Sequence, residues 1–193
     1  MGKLASRTAK PISQKRPRRE WKRFTWEPHS VRDQCADSNT SKPTALPQNF
    51  WLDRNCRRLY FSFILDQLGT SLDGLYTLSY DDFQKTGGLG LLNYYESSPA
   101  LAIMSEFSEH LWRPWRFRYT PRQFWKTLGA SFRAGKVEAE STLRELVSEI
   151  AEENNVKTLN DWLRVDFNHI KGVPVGFRRY VGDLKTVLMR LHP

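Results

Sequence analysis

The feature that most constrains the fold of this chain is an internal repeat. The pair Phe50-Trp51 recurs 74 residues later as Phe124-Trp125. Beyond these pairs, the apolar positions of residues 59–84 match those of residues 146–171 at one constant offset of 87 residues. Such self-similarity is typical of a repeat architecture, in which each copy forms one supersecondary unit. The difference between the two offsets predicts an insertion of thirteen residues in the second copy, around residues 129–140.

The second copy diverges from the first toward its end. The offset shrinks after the glycines of the first copy, so that Ile103 matches Leu188. The first copy closes with Trp112 and Trp115, and the sequence ends where the second copy would have reached its own pair. We therefore expect the second copy to be degenerate and truncated.

Helical signals run through both copies, and no segment alternates as a half-buried strand does. Ser79 and Ser98 are predicted N-caps, because serine side chains accept hydrogen bonds from free helical N–H groups. Pro99 suits the first helical position after Ser98. In the second copy the patterns predict three helices, over residues 142–154, 160–171 and 177–191.

These signals predict an all-α chain made of two tandem helical units of about 75 residues each. A disordered basic arm and linker is expected over residues 1–48, because this part is polar and rich in prolines. The first helical unit is predicted over residues 49–120 and the second over residues 121–193.

The net charge of +9 is concentrated in two places. Residues 1–32 hold ten lysines and arginines against two acids, and residues 110–137 hold seven against none. A basic balance of this kind favours an acidic partner such as nucleic acid.

The cluster Lys15-Arg16-Pro17-Arg18-Arg19 is the most basic part of the arm. It is typical of a nuclear-import signal, read by an import receptor, or of an arm that contacts phosphates. A mitochondrial presequence is the rival interpretation, because the start of the chain is rich in Ser, Thr and Arg and lacks acids. The prolines and lysines favour the nucleus, with the mitochondrion as the alternative.

The internal basic band opens with the stretch HLWRPWRFRY at residues 110–119. Its rings could stack on bases or could pack inside the protein, and packing is favoured because each ring would bury about 150–250 Å². Its arginines are better suited to phosphate, which the guanidinium group binds through two parallel hydrogen bonds. The predicted nucleic-acid-binding residues are Lys15, Arg16, Arg18, Arg19, Lys22, Arg23, Arg113, Arg116, Arg118, Arg122 and Lys126.

No catalytic constellation, metal-ligand spacing or cofactor motif is recognisable, so a non-enzymatic protein without a cofactor is expected. The glycines of residues 87–90 are followed by no Lys-Ser/Thr pair, which argues against a phosphate loop. Cys35 and Cys56 are expected to be reduced thiols, as in an intracellular protein. No apolar run approaches the ~20 residues that span a bilayer, so no membrane partner is expected.

The segments FWLDRNCRRLYF, LYTLSYDDFQKTGGLGLLNYYESS and LWRPWRF resemble an aromatic-rich repeat of uncharacterised eukaryotic proteins. The resemblance covers residues 50–124 well and the rest weakly. It implies modularity and no particular activity. The predicted function is nucleic-acid binding, with DNA favoured over RNA. The alternative is a protein-interaction adaptor, or a subunit for organelle or ribosome assembly, with a protein partner on the aromatic seam.

Overall fold

A computed structural model of the chain describes residues 20–24, 46, 49–167 and 169–192. These residues form α-helices, 3-10 turns and irregular segments without a strand, which confirms the all-α prediction. They divide into two compact units, a first within Arg18–Arg122 and a second within Gln123–Pro193. None of the helices in the described ranges is long and apolar enough to cross a membrane.

The first unit contains four α-helices and three 3-10 turns. The helices are α1 Arg54–Leu68, α2 Tyr80–Thr86, α3 Leu89–Leu92 and α4 Pro99–Glu106, and the turns are Phe50–Leu52, Leu72–Thr77 and Pro114–Arg116. Both predicted N-caps are confirmed: the Ser79 hydroxyl accepts from the Asp82 N–H, and the Ser98 hydroxyl accepts from the Leu101 N–H. These caps satisfy backbone donors that a helix start would otherwise leave free.

Aromatic side chains dominate the core of the first unit. Tyr60 and Phe61 of α1 are fully buried, and both rings contact Phe83 of α2. Phe61 also meets Phe107 edge-on, with 5.4 Å between the ring centroids. The Tyr60 hydroxyl is hydrogen-bonded to the buried hydroxyl of Thr86, so its one polar atom is satisfied inside the core.

Residues 20–24 differ from the expectation that the folded part begins near residue 49. The Trp21 indole donates to Asp82 at 2.7 Å, and the Lys22 backbone N–H donates to the Gln67 side chain. The Phe24 N–H donates to the Thr86 carbonyl, and the Phe24 ring packs among aromatic side chains of the first unit. Residues 20–24 are therefore a segment docked on the first unit through Trp21 and Phe24, which flank Lys22 and Arg23 in the sequence.

The second unit contains five α-helices, which are α5 Phe124–Arg133, α6 Val137–Glu153, α7 Leu159–Trp162, α8 Val175–Tyr180 and α9 Leu184–Leu191. The predicted helix over 160–171 is wrong beyond Trp162, because irregular chain follows α7. The predicted helix over 177–191 is divided at Gly182, whose φ of +131° lies outside the helical region. Asp183 then caps α9 by accepting from the Lys185 and Thr186 N–H groups.

Structural landmarks correct the register of the repeat. Asn155, which lies 86 residues after Gly69, has the same left-handed backbone just past a long helix. Farther on, the offset of 87 fits the structure, because it places buried Trp162 on buried Leu75 and buried Ile170 on buried Phe83. Thr158, the N-cap of α7, then corresponds to Ser71, the N-cap of the 3-10 turn at Leu72–Thr77. The second unit therefore has α7 in the place of this turn, although Leu163 is 83 % exposed whereas Tyr76 is buried.

Cys56 is fully buried and disulfide-bonded, so the expectation of a reduced thiol is wrong at this position. The other cysteine of the chain, Cys35, lies outside the described residues.

Candidate nucleic-acid interface

Most rings of the 110–119 stretch are packed away from water, as predicted: Trp112 and Phe117 belong to the core cluster of the first unit, whereas Tyr119 is exposed. Trp115 and Phe117 are buried. The Trp112 indole donates to the Phe107 carbonyl at 2.8 Å, and its ring meets Tyr76 edge-on at 5.1 Å. These rings are committed to the core, so base stacking would require them to leave it.

Tyr76 organises the chain around this stretch. Its hydroxyl accepts from the Arg113 backbone N–H at 2.8 Å, and its carbonyl accepts from the Arg118 backbone N–H at 2.9 Å. Burial raises the pKa of the Tyr76 hydroxyl, while the positive charges of Arg116 and Arg113 act in the opposite direction. Tyr76 thus holds an irregular segment in one conformation.

Three of the predicted arginines lie on the segment that Tyr76 holds through backbone hydrogen bonds, and we call Arg113, Arg116 and Arg118 the arginine cluster. Arg113 and Arg116 are half-buried, whereas Arg118 is exposed and lies over the Tyr119 ring at 5.7 Å. Asp73, in the 3-10 turn that carries Tyr76, is close enough to oppose their effect on the Tyr76 hydroxyl. The segment therefore carries three cations, and Asp73 lies near the Tyr76 hydroxyl.

The remaining predicted residues are more dispersed. Arg122 is exposed and ends the first unit, and Lys126 is an exposed residue of α5 in the second unit. Lys22 and Arg23 are exposed on the docked segment of the first unit. The residues Lys15, Arg16, Arg18 and Arg19 lie outside the described residues.

Sequence reasoning missed a second cationic group, on α1, which is paired within the first unit. Arg57 is ion-paired with Glu106, a carboxylate that is 1 % exposed and also accepts from the Tyr95 hydroxyl. Arg58 is paired with Glu109 at 2.6 Å, which contributes to lowering the pKa of that carboxyl after the larger effect of a backbone N–H. The sequence did contain a signal for these ion pairs. Glu106 and Glu109 are three residues apart, and the predicted partner helix α1 is rich in arginine.

Sequence reasoning also missed a cavity of about 390 Å³ in the second unit. Its lining comes from α6, from α7 with the residues just before it, and from the exposed His192. The lining residues are Arg144, Val147, Ser148, Ala151, Val156, Lys157, Thr158, Leu159, Trp162 and His192. We call it the α6 cavity.

Within the described residues, no group of three or more histidine, cysteine or acidic side chains is arranged to hold a metal ion. Comparison with protein-family models, curated proteins and solved structures finds no match for this chain. The resemblance to an aromatic-rich repeat therefore rests on the quoted residues alone.

Proposed function

We propose that the chain is a non-enzymatic nucleic-acid-binding protein, with DNA as the favoured ligand and the arginine cluster as its docking surface. The observation that supports the proposal is that one tyrosine fixes the backbone of a segment that carries three arginines. Arg113 and Arg118 are tethered to Tyr76 through their backbone N–H groups, and the charge of Arg116 acts on the same hydroxyl.

Tethering matters because binding immobilises side chains, and a backbone already held in place loses less freedom. Guanidinium groups bind phosphate oxygens through paired hydrogen bonds. Each phosphate neutralised releases counterions, so three contacts would give a slope of about −2.7 in a plot of log affinity against log salt for duplex DNA. The basic arm would add further contacts of the same kind.

The experiment is a titration of the full chain with a duplex, a single strand and an RNA hairpin at 50 and 200 mM salt. The test variant carries Arg113→Gln, Arg116→Gln and Arg118→Gln. We expect weaker binding to every sequence and a salt slope reduced by about three.

The matched control removes three exposed cations of the second unit, through Lys171→Gln, Arg179→Gln and Lys185→Gln. It changes the net charge equally, and we expect it to retain most of the affinity and the slope. Equal losses in the two variants would show that net charge alone drives binding and would overturn the assignment to the cluster. Failure of the wild-type chain to bind any of the three ligands would overturn the function itself.

The second candidate function is a protein-interaction adaptor. The α6 cavity favours it, because a cavity of this size lies in the range of ligand pockets. An adaptor would retain partner binding when the arginine cluster is neutralised, which separates it from the first candidate.

The proposed location is the nucleus, with the mitochondrion as the alternative. The disulfide of Cys56 counts against the nucleus, because disulfides are rare in reducing compartments. Imaging a chain tagged at its C-terminus, with and without replacement of Lys15, Arg16, Arg18 and Arg19 by Gln, tests both locations. Unchanged localisation in the variant would contradict the import signal.

A further inference from the structure

Tyr119, the last residue of the 110–119 stretch, carries an aromatic ring that the core of the first unit does not use. The Tyr119 side chain is 60 % exposed, whereas Trp115 and Phe117, the two rings that precede it in the sequence, are buried. Packing therefore explains the earlier rings of the stretch and does not explain this one.

The backbone around Tyr119 is held on both sides. The Arg118 N–H donates to the Tyr76 carbonyl at 2.9 Å, and the Phe117 ring centroid lies 4.7 Å from that of Tyr76. Pro121, two residues after Tyr119, is buried as well. A ring presented by an anchored backbone loses little conformational freedom when a ligand binds to it.

A cation lies over the Tyr119 ring. The Arg118 Cζ atom is 5.7 Å from the ring centroid, within the range of a cation–π contact. Within the part of the chain that the structure describes, the Arg118 guanidinium forms no salt bridge. Its hydrogen-bond donors are therefore available to a phosphate beside the ring.

The sequence around Tyr119 differs from that around the other exposed tyrosines of the first unit. Tyr80 is followed directly by two aspartates, and Tyr94 is followed two residues later by Glu96. Carboxylates at these positions repel the phosphate of a nucleotide that stacks on either ring. Residues 110–137, which surround Tyr119, contain no acid, so this tyrosine is the one with neighbours that suit a nucleotide.

We propose that Tyr119 stacks on a base of single-stranded nucleic acid while Arg118 binds the adjacent phosphate. This inference rests on the proposed function, because it uses the arginine cluster, and it adds the class of ligand. In a duplex each base face is covered by the next base pair, whereas an extended strand exposes its base faces to aromatic side chains. Every base has such a face, so little sequence preference is expected.

A protein partner is the other ligand to consider, because tyrosine and arginine are both enriched at the centres of protein interfaces. The charge around Tyr119 disfavours it. Residues 110–137 hold seven lysines and arginines and no acid, whereas the core of a protein interface is depleted in charged residues. A dense set of cations beside one exposed ring is better suited to a phosphate backbone that carries bases.

The test titrates the full chain, by fluorescence anisotropy, with four labelled ligands of about twenty nucleotides or base pairs. They are a thymidine strand of DNA, a uridine strand of RNA, a DNA strand without bases, and a DNA duplex. Tyr119→Ala should weaken binding of the two strands that carry bases about tenfold, because one stacked base is lost. The strand without bases and the duplex should bind this variant and the wild type equally, because they offer charge without open base faces.

Three further variants isolate the role of the ring. Tyr119→Phe keeps the ring and should retain binding, and Tyr94→Ala removes a tyrosine that is 54 % exposed on the same unit and should bind as the wild type does. Arg118→Gln should reduce the salt slope on single strands by about 0.7, whereas Tyr119→Ala should leave the slope unchanged because no charge is lost. Thermal unfolding of each variant checks that the first unit still folds.

The outcomes separate this inference from the proposed function. Wild-type binding to single strands that Tyr119→Ala leaves unchanged would overturn the stacking role alone and would favour a protein partner for the ring. Equal losses on the duplex and on the strand without bases would also overturn it, because the effect would not depend on bases. Failure of the wild type to bind any of the four ligands would overturn the proposed function itself. Tighter binding of the uridine strand than of the thymidine strand would support stacking and assign the ligand to RNA.

Discussion

The two units share one packing arrangement, a Phe-Trp pair against a glycine, but different side chains stabilise the rest of each unit. Each begins with a Phe-Trp pair in edge-on contact, at 4.9 Å in the first unit and 5.0 Å in the second. Each tryptophan lies against a glycine of a later helix, Trp51 on Gly90 and Trp125 on Gly176. The shared part is thus an indole packed so closely against a glycine that an added Cβ would displace the ring.

The difference lies in what closes each unit. In the first, Arg57 and Glu106 form an ion pair that is largely removed from water. At the equivalent positions, 86 and 85 residues later, the second unit has Leu143 and Leu191, and both are buried. A buried ion pair and a pair of leucines can fill the same place, but only the ion pair becomes costly when one member is lost.

The largest expected effect is therefore that of Arg57→Leu, which leaves Glu106 charged, buried and hydrogen-bonded to Tyr95. We expect a loss of about 3–5 kcal/mol in the free energy of unfolding of the first unit. Adding Glu106→Leu should recover part of this loss, because the pair then resembles that of the second unit. Denaturation followed by hydrogen exchange assigns the loss to a unit.

The control for this pair is Arg54→Leu, because Arg54 is more exposed and lies 3.9 Å from Glu109. We expect its cost to be below about 1 kcal/mol. A double variant no more stable than Arg57→Leu would contradict the view that the buried charge dominates the loss.

The next largest effect concerns Gly129 of α5, a helix that the first unit replaces by a short turn. A Cβ at Gly129 would lie 2.1 Å from the Tyr180 carbonyl oxygen, so α5 and α8 would have to separate. We expect Gly129→Ala to destabilise the second unit by about 3 kcal/mol, and its neighbour Ala130→Ser, which is exposed, to change little.

Gly90→Ala adds a Cβ at a close contact of the first unit and so allows a comparison with Gly129→Ala in the second unit. The obstacle there is the Trp51 side chain, 2.3 Å from the added Cβ, and a side chain yields more easily than backbone. We expect Gly90→Ala to lose less stability than Gly129→Ala, as measured by the thermal unfolding of each variant. The reverse order would mean that the α5–α8 contact is adaptable.

A smaller effect is expected from Phe24→Ala, which tests the docked segment found only in the first unit. The Phe24 ring is half-buried, with its centroid 5.2–5.8 Å from those of Phe50, Tyr60 and Phe63. We expect a loss of about 2 kcal/mol and faster hydrogen exchange at the Phe24 amide.

Lys22→Ala is the matched control for the docked segment, because Lys22 holds Gln67 through its backbone and its side chain is exposed. It should leave the stability unchanged. Equal stability of Phe24→Ala and the wild type would show that the segment does not dock in solution.

The smallest effect is expected from Asp161→Asn, which weakens the cap of α7. Backbone N–H donors hold the pKa of the Asp161 carboxyl below its usual value, so the folded state favours the charged form. Its stabilisation is therefore present above about pH 3.9 and is lost as the pH falls through the lower folded pKa.

Hydrogen exchange of the Leu159–Trp162 turn measures this effect. The wild type should be better protected than Asp161→Asn at pH 7, and the difference should disappear in acid. Glu152→Gln, an exposed change on α6, should show no such pH dependence. A difference that persists unchanged at pH 2 would contradict a role for the charge.

Features encoded over a few residues were predictable. The caps at Ser79 and Ser98 and the helices that follow them depend on neighbours three positions away. The inward packing of Trp115 and Phe117 followed from the area that such rings remove from water. The candidate arginines were identified by charge, but the backbone hydrogen bonds that hold Arg113 and Arg118 to Tyr76, at least 37 residues earlier in the chain, were not.

Local pattern was enough to establish an all-helical chain, because periodicity and caps act over one or two turns. Only the tertiary structure decided that Arg57 meets Glu106 across 49 residues, that residues 20–24 dock, and that the second unit keeps a cavity. The reason is that such contacts depend on how distant side chains share volume and charge once the helices have packed.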